Sequence, residues 1–167
     1  MRVNSRFFRY FAYTLEILVF YVLQGTPNLV PEIFGSKPLF LIPIALTIAA
    51  RERVVPSLIF GAVCGALTDI GSGGSVGFFA ITLTLVCFAE VSIYENYLVP
   101  SFLTVSIISV ISVPCIIGMY FLLFRFFAGI EECGYLFVHH YISRIVYTLL
   151  MTIPFYYINR FLYRHLN

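Results

Sequence analysis

The residues able to do chemistry are few and widely separated. Asp69 closes the segment FGAVCGALTD, residues 60 to 69, in which Gly61 and Gly65 precede it at intervals of four. On a helix, residues four apart stack on one face. Gly61, Gly65 and Asp69 therefore form a shallow groove ending in a carboxylate, with Cys64 and Thr68 beside it. Lipid tails are as apolar as leucine, so helices in a bilayer associate by close packing and interhelical hydrogen bonds, and Gly-xxx-Gly lets a second backbone come near. The line predicts internal packing, with a direct partner interface as the other reading, and makes the third helix central. Asp69 falls near the C-terminal end of that helix, where the last carbonyls already concentrate negative charge. The adjacent GSGGSVG, residues 71 to 77, offers compensation. Gly71, Gly73 and Gly74 permit a tight reversal with positive φ, and the first N–H groups of the next helix are natural partners for a carboxylate. Asp69 is thus expected to pin the turn between helices three and four. An ionisable residue at membrane depth is also a functional candidate, so facing a ligand or partner is the alternative.

The remaining polar residues read as structural. Glu16 lies midway along the first apolar run, and its expected fate is a hydrogen bond to a serine or tyrosine of a neighbouring helix. No chain of acids at similar depth continues it into a proton relay. EECGYLFVHH gathers Glu131, Glu132, Cys133, His139 and His140 in one loop, which raises a metal site. Adjacent histidines point about 100° apart on a helix, unlike the i, i+4 pair of HExxH, and solvated loop residues are the expected reading. Arg125 and Arg144 fall near span ends, where snorkelling accounts for them. Ser106, Ser109 and Ser112 share one face of the fifth helix, a stripe suited to close helix contact. Cys64, Cys87, Cys115 and Cys133 form no CxxC and no close pair, and read as small buried apolar residues. No Ser–His–Asp set, phosphate-cradling loop or paired catalytic carboxylates can be assembled at a shared depth. The expectation is a protein without enzymatic activity, cofactor or metal.

The elements that position these residues follow from composition. Of 167 residues 60% are hydrophobic and 11% charged, against about a quarter charged in ordinary globular domains. Mean hydropathy is +0.96. This is the composition of a membrane protein, and its apolar runs extend from end to end, so residues 1–167 are expected to form a single transmembrane domain. Tyrosine and phenylalanine must populate the water–lipid boundary in the absence of tryptophan. A net charge of +2 is too small to suggest nucleic acid. Arg2, Arg6 and Arg9 precede FAYTLEILVFYVL as in a secretory leader, but Glu16 interrupts the run and no small-x-small site follows. The segment is therefore expected to remain as the first span.

Spans are predicted near residues 7 to 24, 36 to 50, 54 to 70, 75 to 94, 98 to 127 and 138 to 159, giving an all-α bundle of six transmembrane helices. Pro43 is expected to bend the second, Pro114 the fifth and Pro154 the sixth. With the N-terminus inside, seven of ten basic residues lie on the cytoplasmic side: Arg2, Arg6, Arg9, Arg51, Arg53, Arg160 and Arg164. Both termini are then cytoplasmic. Glu90 and Glu95 are expected in the loop between spans four and five.

This chain resembles the bacterial rod shape-determining protein MreD family. The resemblance rests on a first helix ending in Gln24, a Pro-containing connection through Pro31 and Pro38, an apolar second run, and G-x-x-x-G-A-L-x-D from Gly61 to Asp69, followed by Gly77 and FFAITLTL. It is best over residues 15 to 95, and beyond them only hydropathy matches. Glu90 and Glu95 depart from it, since basic residues are expected in that loop. The resemblance implies a multi-pass protein of the bacterial cytoplasmic membrane, without activity of its own, that binds the bitopic protein MreC and supports the peptidoglycan synthases of the cell-elongation complex. Gly61, Gly65, Asp69 and Gly77 are then its helix-packing or partner-interface residues. Substrate-binding subunits of energy-coupling-factor vitamin transporters are similar in size, span number and glycine-rich helices, and supply the alternative function. Such a subunit needs a pocket with several convergent polar groups, in which this sequence is thin.

Overall fold

The computed structural model describes residues 2–26, 39–72, 77–123 and 142–165. Six helices follow in order, α1 (Arg2–Gly25), α2 (Leu41–Ala49), α3 (Val54–Ser72), α4 (Phe78–Asn96), α5 (Phe102–Phe121) and α6 (Ser143–His165), with no strand among the described residues. Four of them, α3 to α6, are long and apolar enough to cross a membrane by length and composition. Six such spans were expected, and the two shortfalls have separate causes. Helix α2 has nine described residues, about 14 Å of rise against a hydrocarbon core of about 30 Å. Helix α1 is long enough, but Arg9 and Glu16 lower its hydropathy. Helix α4 continues to Asn96, which removes Glu90 and Glu95 from the expected loop and makes both helical.

Contacts fix the direction of each helix. Arg9 on α1 meets Glu52 beyond the end of α2, whereas Gln24 at the other end of α1 accepts the Phe40 N–H at 3.1 Å. Helices α1 and α2 are therefore antiparallel. Asp69 late on α3 meets Phe79 and Ala80 early on α4. Phe102 at the start of α5 packs on Tyr156 and Tyr157 late on α6, and Tyr120 at the end of α5 packs on Phe78 and Phe79. The Arg9 guanidinium lies 4.9 Å over the Tyr163 ring. The helices thus alternate in direction, and the start of α1 and the end of α6 share one end of the bundle.

Helix α2 is the hub. All nine of its residues are buried, and it packs against α1, α3, α4, α5 and α6. The expectation that α3 is central is corrected accordingly: α3 forms a close pair with α4, and the two flank α2. The physical reason is shape, because a short helix such as LIPIALTIA, apolar but for Thr47, can be surrounded on every side. The segment on which a bend from Pro43 would fall, residues 27–38 before the helix, lies outside the described residues; Pro43 itself is the third residue of α2. This residue sits in the first turn, where an N–H would have no intrahelical acceptor in any case. The Thr47 hydroxyl donates to the Pro43 carbonyl at 2.8 Å. Pro114 and Pro154, by contrast, lie inside α5 and α6.

The exterior is apolar on the other five helices. Phe11, Leu15 and Val22 on α1, Ile59 and Ile70 on α3, Leu85 on α4, Ile107 and Ile111 on α5, and Leu150 and Phe161 on α6 are all exposed. Arg9 and Glu52 are buried instead, paired in two places at 2.6 Å (Nε to Oε1) and 3.2 Å (Nη2 to Oε2). Removing one member of such a pair leaves an uncompensated buried charge, whereas removing both leaves apolar contact. Arg9→Met is expected to lower unfolding stability in detergent by about 3–5 kcal/mol, and Arg9→Met with Glu52→Met to recover most of it. Thermal unfolding of the two variants side by side checks this.

Candidate functional site

The hairpin of α3 and α4 is built from three glycines that serve three different purposes. At Gly65 an added Cβ would stand 2.5 Å from Ala80 Cα and 2.7 Å from Ala80 N, with the Phe79 carbonyl oxygen closer still. The obstacles are backbone, which cannot move aside, so two main chains touch at this point. At Gly61 the nearest atoms are Cys87 Sγ at 3.0 Å and Cβ at 3.3 Å, a side chain with some freedom to yield. Gly77 has open space around it, but its φ is +82°, the left-handed region in which a Cβ is strained. Among the described glycines of the turn, Gly77 has the positive φ and Gly71 does not. Gly71 is still within α3, and Gly73 and Gly74 lie outside the described residues.

Asp69 completes the hairpin. Its Oδ1 accepts the Phe79 N–H at 3.1 Å and its Oδ2 the Ala80 N–H at 3.0 Å. Gly77 occupies the N-cap of α4, so these donors belong to the second and third helical residues, the two that an N-cap side chain ordinarily satisfies. Glycine has no side chain to offer. The carboxylate of the preceding helix performs the capping in its place, and its charge faces the positive end of the α4 dipole while balancing its own location at the negative end of α3. Asp69 is buried. Thr68 beside it donates to the Cys64 carbonyl at 2.7 Å, and Cys64 and Cys87 fill the seam.

A second polar centre joins three helices near mid-bundle. The Asn159 amide on α6 donates to Thr47 Oγ1 on α2 at 2.9 Å and to Glu16 Oε1 on α1 at 3.4 Å. All three side chains are buried. Glu16 was expected to bond a serine or tyrosine, and an asparagine takes that place. A third centre pairs α4 with α5, where Ser112 Oγ donates to the buried Glu90 at 3.1 Å. Ser109 from the same stripe is fully buried, and Ser106 is partly so. Sequence reasoning did not single out Asn159, Thr47 or the partnership of Arg9 with Glu52. The available signal was an amide inside the apolar run TIPFYYINRF and an Arg–Glu pair bracketing two runs.

Glu131, Glu132, Cys133, His139, His140 and Arg125 lie outside the described residues, and Arg144 is partly buried near the start of α6. Among the described residues no group of three His, Cys, Asp or Glu side chains is placed to hold a metal ion. Every centre described here joins one helix to another. What the arrangement can do chemically is to fix helices against each other at defined heights.

Asp69→Ala should cost about 2–4 kcal/mol through the two donors left without an acceptor, and Gly77→Ala about 1–2 kcal/mol through backbone strain. Gly65→Ala should destabilise more than Gly61→Ala, and Gly65→Leu far more than Ser106→Ala. Thermal unfolding of the purified variants checks the order. No family model, no curated protein and no solved structure matches this chain.

Proposed function

We propose that this chain is a non-enzymatic membrane scaffold of the MreD type, which binds a bitopic MreC-like protein and supports the peptidoglycan synthases of the bacterial elongation complex. The observation that carries the reading is the pattern Gly61, Gly65, Asp69, Gly77, in which each residue has its own part in a single helical hairpin. Such a hairpin presents a rigid surface and needs no reaction centre. A bundle in which helices make up most of the chain also suits a protein that acts by holding others.

The same reading places six crossings in the bilayer. Helix α1 turns Arg9 and Glu16 inward while its outer face is apolar, so its lipid-facing surface is as suitable as those of α3 to α6. Helix α2 spans from the level of Gln24 to that of Arg9, about 18 Å by residue count, and is shielded from lipid along the way. Both termini are then on one side. The count of basic residues makes that side the cytoplasm.

Tagged protein extracted from native membranes with a mild detergent is expected to bring down MreC or a lateral-wall synthase. Absence of both from every preparation sinks the scaffold reading. A bound vitamin, or co-purification of a paired ATPase with its coupling protein, supports the transporter alternative.

A further inference from the structure

We propose that the outer face shared by α5 and α6 binds one anionic glycerophospholipid of the bilayer, with an acyl chain in a trough between the helices and the phosphate beside Arg160 and Arg164. The trough holds about 280 Å³ and is lined by Phe102, Ser106 and Ser109 on α5 and by Val146, Leu150 and Ile153 on α6, among others. It is too narrow to admit a helix of about 10 Å diameter. Ser109 Oγ is buried in its wall with no hydrogen-bond partner.

The α6 side of the trough continues along one helical stripe. At 100° per residue, Val146, Leu150, Ile153, Tyr157, Arg160 and Arg164 fall within about 80° of each other. The stripe therefore runs from aliphatic, through an exposed tyrosine, to two arginines, the order in which a membrane passes from hydrocarbon to headgroup. Phe102 stacks on Tyr157 at 5.7 Å and meets Tyr156 edge-on at 5.4 Å, which holds the mouth of the trough in line past Pro154. Depth agrees as well. Fourteen residues separate Val146 from Arg160, about 21 Å of rise, and one leaflet with its headgroup layer measures about 20–22 Å. A chain end at Val146 thus puts a phosphate at Arg160. Charge completes the argument: Arg164 is exposed, Arg160 is partly exposed, and neither has a carboxylate partner among the described residues.

The test is native mass spectrometry of the full chain in detergent, offered equal amounts of phosphatidylglycerol and phosphatidylcholine with matched acyl chains. The wild type is expected to retain phosphatidylglycerol preferentially. Arg160→Gln with Arg164→Gln should reduce that preference by about five-fold for each arginine removed. Leu150→Trp, which fills the trough, should reduce retention of both lipids. Arg53→Gln removes an exposed charge that is not on the α6 stripe, and should leave the preference unchanged. If the double variant does not fold, Arg164→Gln alone, at an exposed position, is expected to show a single five-fold loss. Equal retention of the two lipids by the wild type overturns the proposal. So does undiminished retention in Leu150→Trp, or a loss in Arg53→Gln as large as that in the α6 variants, which would mean a diffuse basic surface with no site. The outcome is independent of whether any wall protein is a partner.

Discussion

Hydrocarbon gives a polar group nothing to bond with, and that constraint organises this bundle. The three buried carboxylates within the apolar helices are each turned inward to a donor from another helix, Glu16 to Asn159, Glu90 to Ser112 and Asp69 to the amides of Phe79 and Ala80, whereas Glu95 in the last turn of α4 is exposed. Between the helix ends the exposed residues on the same helices are mostly aliphatic or aromatic. A soluble protein puts its charges outside and its leucines inside, whereas this one binds its helices with the few charges it has. These contacts also set register, since a hydrogen bond between named atoms permits one height of one helix against another, which apolar packing alone leaves loosely determined.

Three of these contacts divide the length of α1. Arg9 meets Glu52 at one end, Glu16 reaches Asn159 and through it Thr47 in the middle, and Gln24 takes the Phe40 amide at the other. Helix α2, alongside, has no lipid-facing side and no independent reason to remain at its depth. It is held there by its neighbours. This explains why α2 is missing from a count of long apolar helices although the described helices alternate in direction: length and hydropathy measure how a segment suits lipid, and every residue of α2 is buried against protein.

The hairpin of α3 and α4 was legible because its determinants are local. Spacing alone lines up Gly61, Gly65 and Asp69, and the following glycines announce a reversal, although the position that adopts positive φ, Gly77, required the coordinates. The partners of Glu16 and Arg9 were not legible, since they lie 143 and 43 positions away, and no local pattern points so far along the chain. Glu90 is expected in a loop between two spans, and the approach of Ser112 from α5 shows how a helix accommodates it instead. The centrality of α2 was hidden for a similar reason. A run buried against protein and a run buried against lipid have the same composition.

The distance between Glu16 and Asn159 also has a meaning in time. At about 5–20 residues per second of synthesis, the separation of 143 positions takes about 7–30 s to be synthesised. Throughout that interval Glu16 has already been delivered toward the membrane without the amide that will receive it. Until α6 is made, α1 therefore carries a carboxylate without its Asn159 partner. The polar centre of Glu16, Thr47 and Asn159 is thus a late contact, closed only when α6 arrives beside α1 and α2.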